Sequence, residues 1–296
     1  FQRNSANDAW ILLNPEKAYF NATNLTKATS TTQGINYLSL PTNPITIANN
    51  SSTPNTDIDF TAGTMTFNDG SGQALSTAMT KRLQSSGSWS AGNNGNMLLS
   101  GARANSSTYH LFALYKTDGT VDYGALLGVA GTDPNPTSVL PSGYTKYEYI
   151  APIITDGSGN IRAGIFKFKK DGSVNFEYNN YSSSPDINGT TLSTASRTLY
   201  TMASIPLGIE VRGFYEGVVR SSATIESVYV VATSPNQIDK TIGNTASFLV
   251  STGASNAVSG GGQFSCLTNK SGQIGLKGDK ARTVYVNVLG YELYKI

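Results

Sequence analysis

Few side chains in this sequence can do covalent or acid–base chemistry. It has one histidine, His110, and one cysteine, Cys266. A Ser or Cys triad needs a histidine base, so any triad must run through His110. That residue sits inside the apolar run Tyr109-His110-Leu111-Phe112 and has no partner motif. We read it as a core or interface histidine hydrogen-bonded to backbone. Cys266 alone excludes a disulfide within these residues and a cysteine-based zinc site. Its neighbours Phe264 and Leu267 point to a buried strand position, where cysteine behaves as a small hydrophobe. No Gly-x-Ser-x-Gly elbow, phosphate-binding loop or dinucleotide fingerprint occurs, and Gly260-Gly261-Gly262 opens a strand. Carboxylates remain. A glycosidase needs only two of them about 5–10 Å apart, and Asp57, Asp59, Asp122, Glu148, Asp156 and Glu177 are available. Asp57 and Asp59 stand at i and i+2, on one face of a strand. A divalent-cation site would use such a pair, but a solvated strand face is the simpler expectation. We assign no catalytic residue, no metal ligand and no cofactor, and read the chain as non-enzymatic.

The elements that hold these residues read as strands. Tyr109, Leu111 and Ala113 form one apolar face, and Phe112 and Leu114 the other, so this strand belongs in a sheet interior. Asp118-Gly119 is a hairpin signal. Phe166 and Phe168 alternate with Lys167 and Lys169. A turn at Asp171-Gly172 follows, and then Val174, Phe176 and Tyr178 alternate with Asn175 and Glu177. Residues 225–232 and 283–289 are strand-like by their Val, Ile and Tyr content. Leu75, Met79 and Leu83 recur at i, i+4 and i+8, which suits a short helix over 74–83, with a strand as the alternative. Short strands separated by Gly/Asn/Asp turns predict an all-β fold, an antiparallel β-sandwich or jelly roll.

Composition bounds the function. Only 14% of residues are charged and the net charge is +2, against roughly a quarter charged in ordinary domains. No dense Lys/Arg cluster exists, so nucleic acid is not an expected partner. No apolar run approaches the roughly 20 residues of a membrane span. Gly accounts for 30 residues and Tyr for 16, and Ser, Thr and Asn abound. This surface of hydroxyls and amides suits an extracellular or virion protein, and an all-β protein with many turns explains the same composition equally well. Residues 1–50 read as an N-terminal arm or subunit-contact segment, 51–204 as a first β region, and 205–296 as a second that can merge with it. The chain starts at Phe1, which we take as a sign of processing or of a longer parent.

The order of motifs over 109–161 carries a resemblance. A Tyr109-His110-Leu111-Phe112 strand precedes an Asp-Gly hairpin, then Pro141-Ser142-Gly143-Tyr144-Thr145, then Thr155-Asp156-Gly157-Ser158-Gly159. This resembles a family of bacteriophage and prophage tail-associated virion proteins, of the tail-fibre or tail-tip, receptor-binding type. Trp89 followed by Ala91-Gly92, the Pro206-Leu207-Gly208 strand opening and the closing Leu289-Gly290-Tyr291 extend it over roughly 57–296. The resemblance implies a virion structural protein that takes part in attachment to the host surface. The alternatives are a virion or capsid-decoration protein without a host ligand, and a glycan-degrading tailspike-like enzyme. It also implies a homotrimer among other tail proteins. The apolar runs Trp10-Ile11-Leu12-Leu13 and Tyr19-Phe20 agree, because they lack a local core and need a neighbour. A bacterial surface glycan is the expected ligand, since aromatic rings cover sugar faces while amides and hydroxyls take their hydroxyl groups. The loops at 141–149 and 178–184 are the candidates, with Tyr147, Asn180 and Tyr181 as contact residues. Tyr144 reads as closing the core, Tyr149 as the start of a strand, and Trp89 as a core anchor beneath a loop.

Overall fold

The computed structural model describes residues 2–3, 10–11, 45–66, 72–75, 77–169, 173–179, 185–220, 226–236, 248–252 and 259–293. The chain divides into two compact units, Phe1–Ser39 and Leu40–Ile296. In the first, β1 (Gln2–Arg3) pairs antiparallel with β2 (Trp10–Ile11). Residues 12–13 and 19–20 of the apolar runs lie outside the described residues.

The second unit is built of strands, and its described residues contain no α-helix. It opens with β3 (Ile47–Asn49), β4 (Asp57–Phe60), β5 (Gly63–Thr66), β6 (Gly72–Leu75), β7 (Met79–Arg82) and β8 (Gly95–Asn96). The described residues of the 74–83 segment thus hold the end of β6 and the whole of β7, and no helix. Lys81 and Leu83, two residues apart, are both buried, which is the period of a strand. Next come β9 (Thr108–Lys116), β10 (Val121–Leu127), β11 (Tyr144–Ile154), β12 (Gly164–Phe168), β13 (Val174–Tyr178), β14 (Ile187–Thr191) and β15 (Thr198–Thr201). The chain continues with β16 (Arg212–Arg220), β17 (Glu226–Thr233), β18 (Phe248–Thr252), β19 (Ser259–Leu267), β20 (Gln273–Gly278) and β21 (Thr283–Leu293).

Apart from the parallel β7–β8 pair, these strands form a sandwich-like set of antiparallel sheets. One runs β12-β13-β21-β16-β19, with β14 also on β21; another runs β15-β20-β17-β18. The first sheet takes strands from both sequence-defined β regions. β13 pairs with the C-terminal half of β21, and β14 with its N-terminal half. Val284, Val286 and Tyr291 of β21 are fully buried, and they share one core with Val228, Val230, Ile274 and Leu276 of the second sheet.

The central three-stranded sheet runs β10-β9-β11. β9 is buried on both sides, as its two apolar faces require. Tyr109, Leu111 and Ala113 enter the main core. Phe112 and Leu114 join Tyr144 in a second cluster, covered by Trp89, Leu99, Leu126 and Leu140. The β9–β10 turn uses Gly119 at φ 93°, and Asp118 Oδ1 accepts from Thr120 N at 2.8 Å. The turn after β11 is likewise held by its aspartate. Asp156 Oδ1 accepts from the backbone of Ser158 and Asn160, and Gly159 supplies a φ of 80°. The fourth sheet, β3-β4-β7-β8, stands beside β10, and Phe60 of β4 stacks on Tyr123 of β10 at 3.8 Å between ring centroids.

Candidate functional site

Tyr147 is the sequence-selected contact residue that the structure describes; Asn180 and Tyr181 lie outside the described residues. Tyr147 is on β11, in the 141–149 segment read as a loop from sequence. That segment becomes strand at Tyr144, where pairing to Lys116 begins. The Tyr147 ring is half-buried and meets Phe112 edge-on at 5.8 Å. Its hydroxyl lies 3.3 Å from Asn135 Oδ1 and 3.3 Å from Thr137 Oγ1. A partly exposed ring edge with an amide and a hydroxyl beside it is chemistry that a sugar can use. Tyr144 and Tyr149 point inward. Tyr144 is 5% exposed and meets Trp89 edge-on at 5.3 Å, while Tyr149 sits against His110 and Phe112.

His110 is fully buried. Nε2 lies 2.8 Å from the Leu207 carbonyl oxygen, which can only accept, so Nε2 carries the proton. Nδ1 then accepts from the Tyr149 hydroxyl at 3.2 Å. Both ring nitrogens are satisfied in the neutral state. Burial pulls the imidazole down to about 4, against the opposing hydrogen bond to Leu207. It is a core histidine bonded to backbone, as its apolar surroundings suggest.

Both carboxylates of β4 are hydrogen-bonded by the protein itself, Asp57 buried and Asp59 half-buried. Asp57, 5% exposed, accepts from Arg82 Nε at 3.1 Å and Nη2 at 3.2 Å, and from Thr53 and Thr56. Burial raises its pKa, but these bonds outweigh burial and the net shift is downward. Asp59 accepts from Asn50 and from Thr80. The face expected from sequence to be solvated is closed at Asp57, and a network there ties the loop before β4 to β7. Among the described residues no group of three or more His, Cys, Asp or Glu side chains could hold a metal ion. Cys266 is free and lines a shallow surface depression with Arg212, Thr233, Ser234 and Ser265. Burial pushes its thiol up to about 12, so little thiolate exists at neutral pH.

One charged cluster escapes a reading of the sequence. Lys81 of β7 and Asp122 of β10 are 0% and 2% exposed, with Nζ 2.8 Å from Oδ1. Lysine is almost never fully buried unless paired. Nζ also donates to the Ser90 carbonyl at 2.7 Å and lies 3.4 Å from the Gly92 carbonyl. Asp122 accepts from Tyr123 N at 2.6 Å on Oδ1 and from Gly92 N at 2.7 Å on Oδ2. Trp89 covers the pair, with Nζ 4.9 Å from its ring centroid and its own Nε1 donating to the Tyr123 carbonyl at 2.9 Å. The Tyr144 hydroxyl, buried without a hydrogen-bond partner, is pushed up to about 12 by burial and then by the Asp122 charge. Nothing in Met79-Thr80-Lys81-Arg82 marks the lysine as internal. The one available signal was the Trp89-Ser90-Ala91-Gly92 segment, whose backbone supplies most of the cradle.

No family model matches the chain, and no curated protein matches it.

Proposed function

We propose that this chain is a non-enzymatic structural protein of a bacteriophage virion, a tail-fibre or tail-tip component that takes part in attachment to the host surface. The observation that carries the reading is the ordered set of motifs over 109–161. Those residues build one continuous unit: β9, the Asp118-Gly119 turn, β10, β11 and the Asp156 turn. An all-β body with few charges suits a particle surface. The proposed ligand is a bacterial surface saccharide, contacted at Tyr147 together with Asn180 and Tyr181. The half-exposed Tyr147 ring, flanked by Asn135 and Thr137, supports that choice.

The test is adsorption of the purified protein to a panel of bacterial strains, with isolated surface glycan as competitor. Saturable binding that the glycan competes away is the expected result. Failure to bind any strain favours a virion or capsid-decoration role without a host ligand. Release of reducing ends from the glycan establishes a tailspike-like enzyme instead. We propose a homotrimer on the same resemblance. Sedimentation at micromolar concentration checks it, and a stable monomer defeats it.

A further inference from the structure

The Lys81–Asp122 contact joins two sheets, with β7 in the β3-β4-β7-β8 sheet and β10 in the β10-β9-β11 sheet. Both residues stand within strands, so backbone pairing on each side fixes their approach. The amine nitrogen and a carboxylate oxygen are 2.8 Å apart and both side chains are shut off from solvent. We propose that Lys81 and Asp122 condense to an intramolecular isopeptide bond that staples these two sheets together.

The step balances without an outside reagent. A proton passes from the Lys81 ammonium to Asp122 Oδ1 along their hydrogen bond, leaving a neutral amine and a neutral acid. Nζ attacks Cγ, and a second proton follows from nitrogen to Oδ1. The Cγ–Oδ1 bond breaks, the Nζ–Cγ bond remains, and Oδ1 departs as water carrying both protons. No electron is gained or lost. The Gly92 N–H on Oδ2, at 2.7 Å, stands where negative charge gathers in the tetrahedral intermediate, the role of an oxyanion-hole donor. The Ser90 carbonyl, at 2.7 Å from Nζ, accepts the N–H that the amide retains. Both contacts therefore survive in the product, while Tyr123 N–H gives up its acceptor.

Three physical terms drive the step forward. Two ions buried in a water-poor interior are costly, and condensation removes both. The released water gains the bulk solvent. Fixed strands raise the effective concentration of one group at the other far above that of free reactants. Burial also holds the Lys81 ammonium below its ordinary value, although Asp122 opposes this, which eases formation of the neutral amine. Asp57 and Arg82, the ion pair one strand position away, illustrate the contrast: Arg82 is half exposed, and a guanidinium is a poor nucleophile because it stays protonated.

The test is the intact mass of the purified full chain under denaturing conditions, followed by peptide mapping. The expected mass is one water below that of the sequence. The map should contain a branched peptide joining the segment with Lys81 to the segment with Asp122. In the Lys81→Arg variant the water loss disappears. Dehydration at Asp-Gly pairs such as Asp118-Gly119 or Asp156-Gly157 would also remove one water, but it persists in Lys81→Arg and yields only linear peptides. A parent protein at its full sequence mass, or a water loss retained in Lys81→Arg, overturns the proposal. If Lys81→Arg does not fold, the parent's own map decides: a branched peptide upholds the bond, and linear peptides alone refute it.

Discussion

His110 and Leu207 are tied across the core by a 2.8 Å hydrogen bond, although 97 positions separate them in the chain. The bond fixes the Pro206-Leu207-Gly208 segment against β9. By itself it favours the protonated ring, but burial disfavours the charge more strongly. The ring's folded pKa is about 4 and its ordinary value is 6.5. Above the ordinary value both folded and unfolded chains carry a neutral ring, and His110 has no effect on pH dependence. As pH falls below it, the unfolded chain binds a proton that the folded chain refuses. Stability is lost progressively down to the folded value, by about 3 kcal/mol at most. His110→Gln should cost about 1–2 kcal/mol near neutral pH and remove this part of the acid sensitivity, while leaving adsorption intact. Urea unfolding of parent and variant at about pH 7.5 and about pH 5 measures the difference. An equal loss in both shows that other groups cause it.

Trp89 bears on the Lys81–Asp122 cluster from above. Trp89→Phe keeps most of the ring but strands the Tyr123 carbonyl that Nε1 now serves, a loss of about 1–2 kcal/mol. Trp89→Ala also removes the cover over Lys81 and Tyr144 and should cost about 3–5 kcal/mol. Denaturant midpoints followed by circular dichroism compare the three proteins. Equal midpoints for parent and Trp89→Ala would mean that the ring covers nothing of consequence.

Much of this arrangement was legible beforehand, and the exceptions share a cause. The two faces of β9 were readable because each side chain there is apolar. The β12–β13 hairpin was readable because Phe and Lys alternate before Asp171-Gly172, and apolar side chains alternate with Asn and Glu after it. Residues 74–83 misled because Leu75, Met79 and Leu83 fit a helical stripe when lysine is counted as polar. Counting Lys81 as internal restores the two-residue period. Its partner lies in another sheet, and no local pattern announces that. The start of β11 at Tyr144 was hidden for a similar reason, since Pro141-Ser142-Gly143 signals a turn without saying where pairing resumes. Tyr147 is legible in the sequence as polar and aromatic, whereas its half-burial against Phe112 comes from tertiary packing.

Gly290 illustrates a constraint that a resemblance can mark but only geometry explains. It sits at the irregular register between β21 and β16, and a Cβ there would stand 2.2 Å from the Phe176 carbonyl oxygen of β13. That neighbour is backbone and cannot rotate away. Gly290→Ala should destabilise by about 2–3 kcal/mol, whereas Gly157→Ala, where a Cβ meets nothing within 4 Å, should change stability by less than about 0.5 kcal/mol. Thermal unfolding of the two variants side by side makes the comparison.

For the saccharide reading, the informative change at Tyr147 is to phenylalanine. The ring then stays against Phe112, and only the hydroxyl beside Asn135 and Thr137 is removed. Combined with Asn180→Ala and Tyr181→Ala, adsorption should weaken by about 1–2 kcal/mol for each residue that is a hot spot, with unfolding midpoints within about 1 kcal/mol of the parent. Adsorption isotherms on a susceptible strain give the number. A triple variant that adsorbs like the parent moves the contact surface elsewhere.

The place of β21 has a consequence for biosynthesis. This strand lies inside its sheet, between β13 and β14 on one side and β16 on the other. A ribosome makes it after all three. Until Thr283–Leu293 emerges, those earlier strands expose open edges that invite pairing with other nascent chains. Closing the sheet then requires contacts across more than a hundred residues, as between Val174 and Leu293, which is slow by its topology. Productive assembly in the cell therefore depends on what shields those edges during translation.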